Sequence, residues 1–324
     1  MQLSRQQLDL LQAFESGLDP RYPERSRIPA TVLGYGEIST VFAIDVEALR
    51  GLAFKRMPLF NDEDEIQAYQ VAYEEYCRLL QEEAGLHLPA HGFATLSSGT
   101  GRPVFYIIQQ RLPSASIGNK ALRLLPEEMA LLLVKRILQE MHSVWQFNAR
   151  QDHLQLSLDG QISNWSISGF DPDHPRFDGG AHLLYFDTST PLFRIDGKEQ
   201  VEAELFLRSA PSFLAWILRL LFLEDVVNRY YDFRRVAIDL VANFYKEGCR
   251  ELIPGVLEVV NDFFRGEAAE LGIQPIDAEE VRSYYREDAL IWTLYLSFRR
   301  IDRWLQTKLL GRDYPYILPG KIER

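Results

Sequence analysis

Short alternating runs of hydrophobic and polar residues in the first third of the chain predict a small β-sheet. Two apolar stretches around a glycine-rich turn at 31–44 indicate a β-hairpin, and the runs at 52–57 and 104–108 predict two further strands. Apolar residues at helical spacing predict a helix at 4–17 and a long helix at 62–83. This part of the chain is therefore predicted to be a sheet with one long helix, preceded by a short helix.

Helical spacing of the apolar residues dominates the rest of the chain. It predicts a long helix at 126–147, and helices from 201 to about 310 after a strand-rich stretch at 154–195. The most apolar window, 213–223, contains an arginine and is about half as long as a bilayer span needs. We therefore expect a buried helix there.

The order of these elements predicts an α+β fold with two lobes. We expect an N-terminal helical extension at 1–29, a lobe with a small antiparallel sheet and one helix at 30–112, and a larger, mainly helical lobe at 113–324. A chain of 324 residues, 47% of them hydrophobic, is long enough to bury cores in both lobes.

Composition and charge narrow the possible partners and the compartment. The net charge of −11 argues against broad binding to nucleic acid or to anionic membranes, because these need many Lys and Arg side chains. The cysteines Cys77 and Cys249 lack metal-ligand spacing and are expected to be partly buried thiols in a reducing compartment, with one disulfide as the alternative. No apolar signal segment opens the sequence, so we expect a cytoplasmic protein.

The turn of the predicted hairpin has the pattern Gly-x-Gly-x-x-Ser-x-Val, formed by Gly34, Gly36, Ser39 and Val41. Residues without a Cβ let backbone N–H groups approach phosphate oxygens, and the valine can pack on a nucleobase. A tight glycine-containing hairpin without a ligand explains the same pattern.

Lys55 lies on the strand that follows the hairpin, and Glu74 and Glu75 lie in the long helix after it. A lysine on a buried strand requires a partner, because an isolated ammonium is costly to desolvate. We expect Glu74, or else Glu75, to pair with Lys55. A solvated lysine and two exposed helix acids are the alternative.

The segment from Asp159 to Asn164 has the pattern Asp-x-x-x-x-Asn. In phosphoryl transfer such an aspartate orients the acceptor hydroxyl, and the asparagine coordinates a metal. The alternative is a β-hairpin turn at Asp159–Gly160, since Asp-Gly between alternating apolar residues favours a type I′ turn.

Asp187 directly follows an apolar run at 182–186. A carboxylate at the end of a buried strand suits a Mg²⁺ ion that bridges nucleotide phosphates. The alternative is a helix cap or an Asx-turn in Asp-Thr-Ser-Thr.

Taken in order, these motifs resemble the protein-kinase-like superfamily, specifically the branch with aminoglycoside and choline phosphotransferases. The resemblance covers residues 30–195. The stretch 106–113 is similar to the strand that enters the interlobe hinge in that branch, which implies that Gln110 lines the nucleotide. The loop 169–180 resembles an inserted surface loop.

The resemblance implies an ATP- and Mg²⁺-dependent phosphotransferase acting on a small hydroxyl compound, in which Asp159 orients the hydroxyl and Asn164 and Asp187 hold the metal. Ser157 and Gln161 stand where that branch has histidines. A pseudokinase that binds a nucleotide or a partner without efficient catalysis is therefore the alternative, and AMP transfer stays open as a third. The sequence does not indicate the acceptor or the oligomeric state.

Overall fold

The computed structural model describes residues 1–36, 38–98, 101–208, 227–312 and 314–319. Its strands are β1 (Ala30–Tyr35), β2 (Thr40–Ile44), β3 (Leu52–Met57), β4 (His91–Ser97), β5 (Pro103–Gln110), β6 (Leu154–Leu156), β7 (Trp165–Ile167), β8 (Leu183–Tyr185), β9 (Phe193–Ile195) and β10 (Lys198–Glu199). Its α-helices are α1 (Arg5–Ser16), α2 (Glu63–Arg78), α3 (Gly118–Ala121), α4 (Glu127–Asn148), α5 (Ala203–Leu207), α6 (Phe233–Lys246), α7 (Ile253–Arg265) and α8 (Ala278–Trp304). The predicted α+β architecture, a small antiparallel sheet followed by a larger helical part, is confirmed. The predicted helix at 213–223 lies outside the described residues.

Strands β1 to β5 form one antiparallel sheet in the order β1-β2-β3-β5-β4. Side chains alternate between the two faces of each strand. Phe42 and Phe54 point to the face covered by Leu11 and Phe14 of α1, whereas Met57 belongs to the core that contains α2. The sheet is therefore covered on both faces, and neighbouring residues of β3 face different sides of it.

Helix α2 begins where its sequence predicts. The side chain of Asp62 accepts a hydrogen bond from the backbone N–H of Glu65 at 2.9 Å, and Glu63 and Asp64 add negative charge to the first turn. Both features stabilise a helix N-terminus. Its inward face is aromatic, with Tyr69, Tyr73 and Tyr76 almost fully buried.

A buried ion pair joins α1 to the sheet. The Glu15 carboxylate accepts from Arg56 Nε at 2.7 Å, from Arg56 Nη2 at 2.8 Å and from the Tyr106 hydroxyl at 2.5 Å. The side chains of Glu15 and Arg56 are 2% and 6% exposed. Arg56 Nη1 also donates to the carbonyl of Pro315 at 2.8 Å, so the same guanidinium holds the segment 314–319 against the sheet.

In the larger part, α4 packs against α7 and α6 packs against α8. The short strands between α4 and α5 pair as β6 with β9 and as β7 with β8. The predicted surface loop at 169–180 is largely exposed and is anchored by the buried side chain of Phe177. This arrangement places the end of β8 beside the segment that precedes β7.

The structure also shows the state of the two cysteines and the character of the helices. Cys77 and Cys249 are free thiols, as predicted, and both are buried. Among the helices within the described residues, none combines the length and the apolarity needed to cross a membrane.

Candidate active site

Lys55 and Asp187 form an ion pair that connects the sheet to the larger part of the chain. Lys55 Nζ lies 2.6 Å from Asp187 Oδ1, and the two side chains are 16% and 27% exposed. The hydroxyl of Ser189 donates to the same carboxylate oxygen at 3.1 Å. Burial opposes ionisation of Asp187, but the charge of Lys55 and these hydrogen bonds outweigh it and lower the pKa of Asp187.

The structure corrects the predicted partner of Lys55. Glu74 is exposed, and Glu75 accepts hydrogen bonds from Arg78 at 2.9 Å. On a helix, Tyr69, Tyr73 and Tyr76 share one face at i, i+4 and i+7, and this face turns toward the core. Residues directly after Tyr73 are then rotated away from the sheet, so the pairing with Glu74 was wrong.

The inward tyrosines hold the loops of the site. The Tyr69 hydroxyl donates to the carbonyl of Ser189 at 2.8 Å, two residues beyond Asp187. The Tyr76 hydroxyl donates to the carbonyl of Ser157 at 2.8 Å, two residues before Asp159. Since buried hydroxyl groups need partners, these bonds fix the helix relative to both loops.

The segment from Asp159 to Asn164 is a packed loop rather than a hairpin tip. β6 pairs with β9 and β7 with β8, so the strands that flank the loop do not pair with each other. Leu158 and Ile162 are fully buried and anchor it. The hairpin alternative is therefore excluded.

Hydrogen bonds of the backbone and of one side-chain amide bring Asp159, Asn164 and Asp187 close together. Asn164 Nδ2 donates to the carbonyl of Asp159 at 3.2 Å, and the N–H of Phe186 donates to the carbonyl of Asn164 at 3.1 Å. Asp187 follows Phe186 directly, and its charge acts on the Asp159 carboxyl. The structure thus assembles Lys55, Asp159, Asn164 and Asp187 from three segments of the chain.

The two carboxyl groups of the site differ in acidity. Burial, followed by the nearby charges of Asp239 and Asp187, raises the pKa of Asp159 from 3.8 to about 7. The pKa of Asp187 is lowered. Environments that push two carboxyl pKa values apart are typical of sites where one group exchanges a proton and the other stays charged.

The contacts that support Asp159 join segments that are far apart in the sequence. Gln161 donates its backbone N–H to Asp159 Oδ1 at 3.1 Å and its side-chain amide to Asp239 Oδ2 at 3.1 Å. Lys246 Nζ donates to Gln161 Oε1 at 3.3 Å. Asp239 and Lys246 are seven residues apart on α6 and share one face, but nothing local in the sequence connects that face to Gln161.

Ser157, at the other histidine position of the resemblance, is fully buried. Its hydroxyl donates to the carbonyl of Tyr230. This bond, with the one from Tyr76, fixes the start of the loop, so the loop is braced by groups other than histidine.

The glycine-rich turn has the predicted strands on either side. The N–H of Gly36 donates to the carbonyl of Ser39 at 3.0 Å, and a Cβ on Gly36 would lie 2.7 Å from Ser39 Oγ. Apart from Gly34 and its two chain neighbours, no described residue has an atom within 4 Å of the place of a Cβ on Gly34. Val41 pairs with Lys55 across β2 and β3, which places the two side chains on the same face.

Gln110 lies at the exposed end of β5, and its N–H donates to the carbonyl of Ala90 at 2.8 Å. The neighbouring Gln109 is the residue that reaches the site, since its side-chain amide donates to the carbonyl of Phe186 at 2.9 Å. Alternation along β5 explains why Gln109 and Gln110 point to different faces.

Gly160 allows the loop to approach two helices closely. A Cβ there would lie 2.7 Å from Val236 Cγ1 and 3.0 Å from the Cε and Sδ atoms of Met141. We expect Gly160→Ala to lower the free energy of unfolding by about 1–3 kcal/mol, the usual cost of overpacking, measured by urea denaturation. Gly180→Ala is the control, because its nearest neighbour would lie at an ordinary 3.4 Å. Equal stability of both variants would contradict the packing described here.

The raised pKa of Asp159 predicts a pH-dependent contribution to stability. Between about pH 4 and pH 7 the folded chain holds a proton on Asp159 that the unfolded chain has lost, so this group lowers the free energy of unfolding as the pH rises. Asp159→Asn cannot ionise. Relative to the wild type, its stability is therefore expected to rise from pH 4.5 to pH 7.5 in urea denaturation. Asp152→Asn, at an exposed position, is the control variant. Parallel pH curves for the wild type and Asp159→Asn would contradict the assignment.

Comparison with curated proteins finds no significant match to the sequence. Among solved structures, WaaP in complex with acyl carrier protein is 16% identical over 71% of this chain and 99% of that one, with a TM-score of 0.33. A Stt7 homolog from Micromonas algae soaked with ATP is 13% identical over 79% of this chain and 82% of that one, with a TM-score of 0.39. The GDP complex of wild-type aminoglycoside 2'-phosphotransferase-IIIa is 10% identical over 80% of this chain and 98% of that one, with a TM-score of 0.33. Likenesses at this level carry no information about what this chain does.

A family model matches residues 23–303, which is most of the sequence. The chain therefore belongs to the family described as "Family of unknown function (DUF6206)".

Proposed function

We propose that the chain binds ATP with Mg²⁺ between a lobe at 30–112 and a lobe at 113–324, and transfers the γ-phosphoryl group to a hydroxyl of a small molecule. The observation that carries this proposal is the assembly of Lys55, Asp159, Asn164 and Asp187 by direct and backbone contacts. Each group is of the type that phosphoryl transfer requires: a cation for phosphates, a proton acceptor and hard oxygen ligands.

The residues fit Mg²⁺ that arrives with a nucleotide. Asn164 and Asp187 offer an amide oxygen and a carboxylate with a lowered pKa on adjoining segments. Among the described residues, no group of three or more His, Cys, Asp or Glu side chains could hold a metal alone. This agrees with the usual Mg²⁺ site of one or two carboxylates completed by substrate phosphates. When bound, the metal would neutralise charge on the phosphate oxygens.

Lys55 Nζ holds the Asp187 carboxylate by a hydrogen bond of 2.6 Å. On nucleotide binding, its ammonium would exchange Asp187 Oδ1 for phosphate oxygens, since both are anionic partners at hydrogen-bond distance. The turn from Gly34 to Val41 would cover the phosphates with backbone N–H groups. Val41 would pack beside the base, on the Lys55 face of the sheet.

Asp159 would accept the proton of the acceptor hydroxyl. The acceptor oxygen forms a bond to the γ-phosphorus while the bond from that phosphorus to the β–γ bridging oxygen breaks, and ADP leaves. Because Asp159 Oδ1 already accepts from Gln161, the proton would pass to its second oxygen. A pKa of about 7 suits a group that takes up and releases a proton near neutral pH.

A specific observation favours the second candidate, a pseudokinase. Lys55 has no acidic partner from α2, since Glu74 is exposed and Glu75 pairs with Arg78. A lysine held by a helix acid is part of the active arrangement in protein kinases. A chain without this pair could bind a nucleotide and lack efficient turnover.

The melting temperature with ATP plus Mg²⁺, with ATP plus EDTA and with Mg²⁺ alone tests the proposal. At about 100 times its dissociation constant, Mg·ATP should add about 2.7 kcal/mol to the free energy of unfolding. Release of ADP in the presence of a panel of small alcohols would support the transferase, and release of pyrophosphate would indicate AMP transfer. Stabilisation without turnover would support the pseudokinase, and no stabilisation would exclude nucleotide binding.

A further inference from the structure

A cavity of about 520 Å³ lies behind the sheet, between the end of α1, the β4–β5 turn and the chain that follows α8. Five arginines line it: Arg21, Arg56, Arg102, Arg303 and Arg312. Its volume is in the range of small-molecule sites.

The described lining of this cavity is positively charged, whereas the chain as a whole is negatively charged. Among the described residues that line it, five arginines and the two acids Glu15 and Asp19 leave a net charge of +3, against −11 for the whole sequence. Both carboxylates are already engaged: Glu15 by Arg56 and Tyr106, and Asp19 by the backbone N–H of Arg21 at 2.8 Å.

Four of these arginines have no carboxylate partner among the residues that the structure describes. Arg21, Arg102, Arg303 and Arg312 form no salt bridge within the described part of the chain. Arg303 is half-buried, whereas the other three lie at the exposed rim. Like charges gathered around one concave space repel each other, and an anion within it relieves that repulsion.

This cavity is separate from the proposed nucleotide site. Arg56 follows Lys55 on β3, so their side chains point to opposite faces of the sheet. Arg56 faces α1 and the cavity, while Lys55 faces Asp187. A ligand in this cavity would therefore bind independently of a nucleotide at Lys55.

We propose that this cavity binds a small molecule that carries two or more phosphate or carboxylate groups. Guanidinium groups present paired N–H donors that match the oxygens of both anions. Arginines come from the segment after α1, from the β4–β5 turn and from the end of α8, so a ligand with several anionic groups would connect all three.

Isothermal titration of the whole chain with citrate and with pyrophosphate tests the proposal. We expect saturable binding of at least one probe, and the stronger of the two identifies carboxylates or phosphates as the preferred groups. The double variant Arg303→Gln/Arg312→Gln should weaken that binding at least tenfold. Arg265→Gln, which removes an equally charged exposed side chain on α7, should change it less than twofold.

Lys55→Met should leave binding of the stronger probe unchanged within twofold, because Lys55 lies on the other face of the sheet. The proposal would be overturned if neither probe binds, or if the double variant loses less than tenfold in affinity. It would also be overturned if Arg265→Gln loses as much affinity as the double variant, or if Lys55→Met loses affinity. If the first double variant does not fold, as judged by circular dichroism, Arg21→Gln/Arg102→Gln replaces it with the same tenfold expectation.

Discussion

Asp187→Asn is expected to abolish the stabilisation of the protein by Mg·ATP. The substitution removes the carboxylate charge of one of the two proposed metal ligands, Asn164 and Asp187, and with it the negative charge that faces Lys55 at 2.6 Å. The gain of about 2.7 kcal/mol at 100 times the dissociation constant should fall to near zero. Any phosphoryl transfer should fall by about a hundredfold or more, as expected when one electrostatic stabiliser of the transition state is lost.

Two further variants separate metal binding from chemistry. Asp159→Asn should keep most of the stabilisation by Mg·ATP and lose transfer, because Asp159 is proposed to act on the acceptor proton rather than on the nucleotide. Asp152→Asn is the matched control, since Asp152 is exposed and lies seven residues before Asp159. Undiminished stabilisation of Asp187→Asn by Mg·ATP would contradict the assignment of Asp187 as a metal ligand.

Glu15→Gln is expected to lower the free energy of unfolding by about 3–5 kcal/mol, the usual cost of removing one charge from a buried ion pair. Arg56 would then keep its charge in a place where its side chain is 6% exposed. Arg56 and Tyr106 both donate hydrogen bonds to the Glu15 carboxylate, and the NH₂ group of a glutamine there would place a further donor against them. Urea denaturation at neutral pH measures the loss.

The control for this prediction is Glu47→Gln. Glu47 forms a 2.8 Å ion pair with Arg50, but both side chains are more than 70% exposed, so its loss should cost less than about 1 kcal/mol. The double variant Glu15→Met/Arg56→Met should recover much of the stability, because an apolar pair can replace a buried ion pair. If Glu15→Gln costs no more than Glu47→Gln, the ion pair does not hold α1 to the sheet.

The local pattern of the sequence determined the elements and the groups that carry the candidate chemistry. Strand alternation and helical spacing placed β1 to β3, α2 and α4 close to their observed bounds, because these signals depend on residues a few positions apart. The spacing of Asp159 and Asn164 and the position of Asp187 after β8 also belong to single segments. For that reason they were found without knowledge of the packing.

Only the tertiary structure decided which groups meet. The rotation of α2 turned three tyrosines inward and Glu74 outward, so Lys55 pairs with Asp187, 132 residues away in the chain. The Asp-Gly sequence at 159–160 favours a hairpin locally, but packing of Gly160 against Val236 and Met141 fixes a different loop.

The hydrogen bonds around Asp159 and the arginine-lined cavity both arise from contacts between distant segments of the chain. Gln161 meets Asp239 across 78 residues, and the cavity gathers arginines from three distant segments. Contacts of this kind depend on how helices and strands pack on each other, and a single sequence contains no local signal for them. The sequence therefore determined the chemical groups of this protein, and the tertiary structure determined their partners and their acidity, because both depend on burial and on charges brought close by folding.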